Sequence, residues 1–472
     1  MLRDKTSSHN ALMEKYLTIV NPATGGELAR LAADEPATVG EKAARARRAQ
    51  PAWAAKPFAD RAAALARFRD ALHADVEPLA RTLSKEMGKP IVQARAEIAA
   101  TRGRIDFFLT HTEAVLASEA VFDDPAGGLS ERVTWEPLGT IANVSAWNYP
   151  YFVGGNVFVP ALLSGNAVLY KPSEYAMLTG LAIVERLHAA GVPEDAMIAV
   201  IGAGAAGSAL VGAPVDGVFF TGSYATGQRV ARAAAERLVP VQLELGGKDP
   251  IYVCDDAPLD AVAAVAEGAF YNAGQSCCAV ERVYVQRAAF DAFVDAFVST
   301  ARGLRVGDPL DERTEVGPLA RPAQLDVLAA QVADATAKGA RVLCGGGRLE
   351  GPGNFFAPTV LVDVDRSMAV MRDESFGPVI GIEAVAGDDE AIAAMQDTEY
   401  GLTAGVYTPD RARAERVLAR MPTGSVYWNC CDRVSPRLPW SGRRHSGLGV
   451  TLSTHGIRAL LRPKAWHLRS RL

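Results

Sequence analysis

From residue 132 onward, short apolar runs alternate with helical segments, and this rhythm limits the possible folds more than any other feature of the chain. Strand-like runs fall at residues 140–145, 167–170, 197–201, 217–221, 241–245 and 250–253. Helical stretches fit between them at 180–190, 206–211 and 226–237. The strands are apolar almost continuously rather than at every second residue, so both faces need cover. Alternation of such strands with helices specifies a mostly parallel α/β sheet. Further strands at 282–286, 341–344 and 379–384 predict a second unit of the same kind. Residues 131–136 and 460–472 read as strands outside both blocks. At about 150 residues per domain, a chain of 472 residues has room for roughly three units.

Ahead of the sheet, Leu65, Phe68, Leu72, Val76, Leu79, Leu83 and Met87 recur at steps of three and four, which is one helix face. Pro78, just beyond Asp75, predicts two helices, the second capped by Asp75 and ended by Gly88. Composition then narrows function. A net charge of −5 offers no basic surface to nucleic acid or anionic membranes. No uncharged run of 18 apolar residues is present to span a membrane. The first sixteen residues lack the apolar stretch of a secretory signal. The six cysteines include two vicinal pairs, Cys277–Cys278 and Cys430–Cys431, and no Cys-x-x-Cys pair. That pattern suits free thiols in a reducing, cytoplasmic compartment and gives no zinc site. Seven histidines form no His-x-x-x-His pair, so no metal is expected.

Residues 198–207 present a strand followed by Gly202-x-Gly204-x-x-Gly207 and a helix. This pattern matches the dinucleotide fingerprint, in which glycines let a pyrophosphate approach a helix start. Two features favour a plain small-residue turn instead. The motif comes late in the sheet, and the following strand ends in Thr221-Gly222-Ser223 without an acidic residue.

Four other pieces carry more chemistry. Gly274-Gln275-Ser276-Cys277 places a thiol after a glycine turn. Leu243-Glu244-Leu245-Gly246-Gly247-Lys248 sets one carboxylate among apolar and glycine neighbours, 33 residues before Cys277. Ala146-Trp147-Asn148-Tyr149-Pro150 ends a strand with a carboxamide, and Tyr170-Lys171-Pro172-Ser173-Glu174 ends another with an ion pair. These motifs, in this order, resemble those of the NAD(P)-dependent aldehyde dehydrogenase superfamily. The resemblance runs from Asn21-Pro22-Ala23-Thr24-Gly25 through Glu136-Pro137-Leu138-Gly139 to Glu374-Ser375-Phe376-Gly377-Pro378 and Ser446-Gly447.

The resemblance implies two Rossmann-like α/β domains and a small discontinuous oligomerisation sheet. Residues 1–118 and 139–245 would form the NAD-binding domain, 246–447 the catalytic domain, and 119–138 with 448–472 the oligomerisation segment of a homodimer or homotetramer. It also implies roles. Cys277 would be the nucleophile, since a thiolate attacks a carbonyl well. Asn148 and the Cys277 backbone N–H would hold the oxyanion. Glu244 would activate the water that hydrolyses the thioester, its pKa raised by an apolar setting. Relatives that pass the acyl group to coenzyme A usually lack this glutamate, so a free acid is the expected product. Lys171 and Glu174 resemble the pair at the adenosine ribose; a carboxylate there favours NAD over NADP, with NADP still open. Gly222, Ser223 and Gly227 resemble the pyrophosphate contact at a helix start, which displaces the Gly202–Gly207 motif from that role. Trp147, Glu374 and Phe376 complete the expected cofactor contacts.

The family's common Pro-Phe-Gly-Gly pattern reads Pro439-Trp440-Ser441-Gly442 here. Trp440, Tyr149, Val153 and Tyr271 are therefore expected to line the substrate site. Arg433, with Arg437, is a candidate for recognising an anionic substituent; a solvated or interface arginine is the competing reading. Other functions on the same residues are a coenzyme A-acylating relative, a non-catalytic binding protein on the same fold, and a flavoprotein using Gly202–Gly207.

Overall fold

The computed structural model describes residues 15–470. The signal-sequence reading therefore lies largely outside the described residues, as do the last two residues of the tail. Two strands form an amino-terminal antiparallel hairpin, β1 (Tyr16–Val20) and β2 (Glu27–Ala32). Two more follow a helical layer, β3 (Glu119–Asp124) and β4 (Leu129–Pro137). Then come β5 (Thr140–Val144), β6 (Ala167–Lys171), β7 (Met197–Ala199), β8 (Gly217–Thr221) and β9 (Val241–Glu244). The second block holds β10 (Pro250–Val253), β11 (Arg282–Gln286), β12 (Arg341–Cys344), β13 (Thr359–Val362), β14 (Val379–Val385), β15 (Thr403–Tyr407) and β16 (Ser425–Trp428). The chain closes with β17 (Gly447–Leu448) and β18 (Leu461–Arg469).

These strands make two large sheets and a small one. The first runs β17-β9-β8-β5-β6-β7 and is parallel except for β17. The second runs β12-β13-β14-β11-β10-β15-β16 and is parallel except for β12. The third is antiparallel, β18-β4-β3, and joins chain segments more than 300 residues apart. All five residues of β6 are buried, as its unbroken apolar run requires in a sheet covered on both faces. Strand β17 crosses back to the first sheet, so the division drawn at residue 447 falls inside a strand bonded to β9.

After a first helix, Pro36–Ala54, the apolar stripe falls on two helices, Phe58–Ala74 and Val76–Met87. Asp75 sits at the break but does not cap. Its carboxylate makes no bond to the helix start and instead accepts from Arg186 Nε at 3.0 Å. Gly88 ends the second helix at φ +87, where a Cβ would also lie 2.6 Å from Pro318 Cγ. Glycine is thus demanded there twice over.

In the first sheet, strand order reverses between β5 and β8. Successive strands grow one way through β6 and β7 and the other way through β8 and β9. The carboxyl ends of β5 and β8 therefore border a crevice, the place where open α/β sheets receive ligands. Trp147 and Asn148 follow β5, and Gly222 and Ser223 follow β8. The Gly202–Gly207 turn instead follows β7, the edge strand.

Candidate active site

Cys277 stands on a loop that two unusual features hold in place. Asn272, Ala273 and Gly274 all have positive φ, at 53°, 56° and 71°. At Gly274 a Cβ would lie 2.4 Å from Gly377 O, so only glycine admits this approach. Gln275 locks the turn. Its Nε2 donates to Asn272 O at 3.0 Å and its Oε1 accepts from Ala320 N at 2.9 Å. Asn148 Nδ2 donates to Gln275 O at 3.1 Å, which ties the carboxamide to the cysteine loop. The Cys277 amide donates to no protein acceptor among the described residues.

The turn that carries Asn148 is itself held by a buried ion pair. Lys89 Nζ bonds Glu97 and donates to Asn148 O at 2.7 Å, while Glu97 accepts from Tyr151 N at 3.0 Å. Both side chains are almost fully buried. Removing one partner of such a pair strands the other charge in the interior, at a cost of about 3–5 kcal/mol. Lys89→Met is accordingly expected to lower the denaturant midpoint of unfolding by a corresponding amount. An unchanged midpoint would contradict this view of the pair.

Glu244 ends β9, and its neighbour across the ladder is Gly447 of β17. A Cβ at Gly447 would lie 2.1 Å from Leu243 O, so only glycine lets β17 pair with β9 at this point. The Thr451 hydroxyl donates to Glu244 Oε1. Burial pushes the carboxyl up to about 7, against the opposing pull of Thr451 and Arg104. Glu244 and Cys277 face one cavity of about 630 Å³. Tyr149, Val153, Tyr271, Trp440 and Arg433 are among the residues that line it. Arg433 is mostly exposed and lies 3.6 Å from Glu267. Cys278 is buried behind the loop. Its Sγ donates to Asp432 Oδ1 at 2.9 Å, and contact with the Cys277 thiol, burial and Asp432 hold it well above the ordinary thiol range. A thiol kept protonated in this way suits packing rather than attack.

Of the expected cofactor residues, Trp147, Gly222 and Ser223 follow β5 and β8 at the crevice of the first sheet, Lys171 ends β6, and Glu374 and Phe376 come from the segment before β14. Ser223 precedes the helix Tyr224–Ala235 in extended conformation; its hydroxyl donates to Thr226 Oγ1 at 3.1 Å and caps none of that helix's backbone amides. Gly227 lets this helix approach β9: a Cβ there would lie 2.6 Å from Leu245 Cδ2. At Gly222 a Cβ would lie 2.6 Å from the Phe220 ring. Trp147 and Phe376 meet edge to face, ring centroids 5.5 Å apart. The Phe376 loop hangs on Glu281, which accepts from Ser375 N at 3.0 Å and Phe376 N at 2.9 Å and pairs with buried Lys248 at 2.6 Å. Glu374 Oε1 accepts from Gly247 N at 3.1 Å. Lys171 and Glu174 lie 3.7 Å apart, with Lys171 buried rather than on the surface. Gly207 packs toward Lys171, where a Cβ would lie 3.4 Å from its Cδ.

The model of the aldehyde dehydrogenase family matches residues 9–466. The chain belongs to this family. A betaine aldehyde dehydrogenase of Cereibacter sphaeroides is 39% identical over 92% of this chain and 89% of its own length. Among solved structures, lactaldehyde dehydrogenase from Escherichia coli superposes with a TM-score of 0.93 at 32% identity, covering 96% of each chain. Betaine aldehyde dehydrogenase from Staphylococcus aureus, solved in complex with NAD+, gives 0.94 at 28% identity over 97% of this chain and 92% of its own.

Several residues that shape this candidate site of the aldehyde dehydrogenase carry no motif of their own. The Lys89–Glu97 pair, Asn272, Glu281, Arg104 and Thr451 belong to it through contacts across 59 to 330 residues of sequence. Gln275 and Lys248 stood inside motifs, but as neighbours of Cys277 and Glu244 rather than as the supports they are.

Proposed function

We propose that this aldehyde dehydrogenase oxidises its substrate to the free carboxylic acid with NAD, through a thioester on Cys277. The observation that carries the reading is the convergence of Cys277 and a Glu244 with a pKa near 7 on one cavity. The Cys277 thiolate adds to the aldehyde carbon and the carbonyl oxygen becomes an oxyanion. Asn148 Nδ2 and the unengaged Cys277 N–H are neutral donors for that charge. When bound, NAD supplies the two-electron acceptor that turns the thiohemiacetal into a thioester. Glu244 then takes a proton from water as the water attacks the acyl carbon, and Cys277 leaves as thiolate. A base with a pKa near 7 is half ionised at neutral pH, so it both holds and releases protons there. Asn148→Ala is expected to lower kcat by roughly 10²–10³, the usual loss for one oxyanion donor. A loss below threefold in steady-state NADH assays would contradict the role.

The crevice of the first sheet suits a dinucleotide. The helix starting at Tyr224 has its first amides uncapped by side chains, which favours a pyrophosphate near Ser223, Gly222 and Gly227. Lys171 and Glu174 would take the adenosine ribose, and Trp147, Glu374 and Phe376 the nicotinamide end. The Glu174 carboxylate favours NAD over NADP. Residues 1–118 with 139–245 are read as the cofactor domain and 246–447 as the catalytic one.

The third sheet supports self-assembly. Its outer strand β3 is exposed along nearly its whole length and shows Val121 and Phe122, 63% and 50% exposed, to solvent. An exposed apolar edge is a pairing surface, which supports a homodimer or homotetramer built through segments 119–138 and 448–472. All six cysteines are free, which supports a reducing, cytoplasmic location. Among the described residues no helix is long and apolar enough to cross a membrane.

A further inference from the structure

The cavity of Cys277 contains a guanidinium that no carboxylate of the described residues pairs with directly, although Glu97 and Glu244 act on it from a distance. Arg104 projects from the helix Ile91–Leu116 and is 9% exposed. Its Nη1 donates to Asn156 Oδ1 at 3.1 Å and its Nη2 to Val434 O at 3.3 Å. Its remaining three N–H donors have no protein acceptor among the described residues. No Asp or Glu oxygen of the described residues lies within ion-pair distance of it. The acidic groups around the cavity are committed elsewhere. Glu97 pairs with Lys89, Glu267 with Arg433, Glu244 holds Thr451, and Asp432 accepts from Ser276 and Cys278. A buried cation without a counter-ion is costly unless polar groups satisfy it, as backbone carbonyls do for buried Arg61 and Arg282; Arg104 instead keeps most of its donors unspent at the cavity.

We propose that Arg104 binds a carboxylate carried by the aldehyde, so that the preferred substrates are aldehydes with a distal carboxylate. The guanidinium fork offers two parallel donors to such a group. The proposal rests on the reading of Cys277 and Glu244 given above. The aromatic wall of the cavity raises the opposite choice, a quaternary ammonium held on ring faces. Protein cations already occupy two of those faces. The Arg104 guanidinium lies 4.0 Å from the Phe152 ring centroid, and Lys89 Nζ lies 3.7 Å from that of Tyr149. A second cation placed there meets like charge on rings already engaged. Arg433, the residue singled out from the sequence, is mostly exposed and already paired, so it is the weaker anchor.

The test compares kcat/KM for succinate and glutarate semialdehydes with those for butanal and pentanal, and includes betaine aldehyde. The wild-type ratio of anionic to neutral substrate is expected to exceed roughly tenfold, the worth of a buried charge-assisted bond. Arg104→Gln should cut that ratio by roughly 10–100-fold, mainly through KM. Arg104→Lys, which keeps charge but loses the fork, should fall between. Arg433→Ala should leave the ratio in place. If Arg104 acted only by its charge on Glu244, Arg104→Gln would slow every aldehyde alike. A wild-type ratio near one, a ratio unmoved by Arg104→Gln, or a preference for betaine aldehyde overturns the proposal. Titration calorimetry with unreactive succinate supplies a readout without turnover. Wild type should bind it at least about tenfold more tightly than Arg104→Gln, and equal binding overturns the proposal. If no aldehyde is oxidised at all, the Cys277–Glu244 reading fails, while the calorimetry still judges Arg104.

Discussion

Replacing Cys277 by alanine is expected to reduce aldehyde-dependent NADH formation by roughly 10⁴-fold or more, since without the nucleophile no covalent path remains. The neighbouring Cys278 offers no substitute. It is buried, held protonated, and bonded to Asp432. Its replacement by alanine should leave turnover within a few-fold of wild type, apart from any loss of packing. Steady-state assays of the two variants side by side check both statements. Activity surviving in Cys277→Ala but not in Cys278→Ala would reverse the assignment.

Replacing Glu244 by glutamine separates the two halves of the reaction. The first half does not need the base, so one equivalent of NADH per active site should appear rapidly. Hydrolysis should then slow by roughly 10²–10⁴-fold, the usual contribution of a general base. In the wild type, the active form of this base is the carboxylate. Activity limited by hydrolysis should therefore rise with pH through about 7, where burial places the Glu244 pKa. The glutamine variant should lose that rise. Stability should move as well. Glu244 in the folded chain keeps its proton up to about pH 7, whereas its ordinary value is 4.5. The folded state binds the proton more tightly, so stability falls as pH rises between these two values. Glu244→Gln removes a penalty on the order of 3 kcal/mol above pH 7 and little at pH 5. A thermal midpoint raised at pH 8 but not at pH 5 fits this account. No gain at pH 8 would show that the carboxylate is not strained by its burial.

The alternation of strands and helices made both large sheets legible, and strands β8, β10, β11 and β12 fall where the apolar runs put them. Edges were less legible. β7 ends at Ala199 rather than at residue 201, because Gly202 already turns the chain at φ +140. Asp75 looked like a cap from its type and place, yet a long-range ion pair with Arg186 claims its carboxylate. The GxGxxG motif was local and complete, and it still sits on an edge strand, since strand order is set by tertiary pairing rather than by motif. In the proposed site, Cys277, Glu244 and Asn148 could be singled out because the proposed chemistry requires particular residue types in such motifs. Their supports could not. Arg104 reads as one more polar position on a 26-residue helix until that helix is packed against Asn156 and Val434. Nothing local distinguishes it from Arg433, whose neighbours in sequence made it the more visible of the two.

The most direct test of the central claim is mass spectrometry of the Glu244→Gln enzyme quenched after mixing with NAD and an aldehyde. The account predicts a stoichiometric acyl adduct, the mass of the aldehyde less two hydrogens, on the Cys277 sulfur of the peptide that contains both vicinal thiols. An unmodified peptide, or an adduct on Cys278, would contradict it.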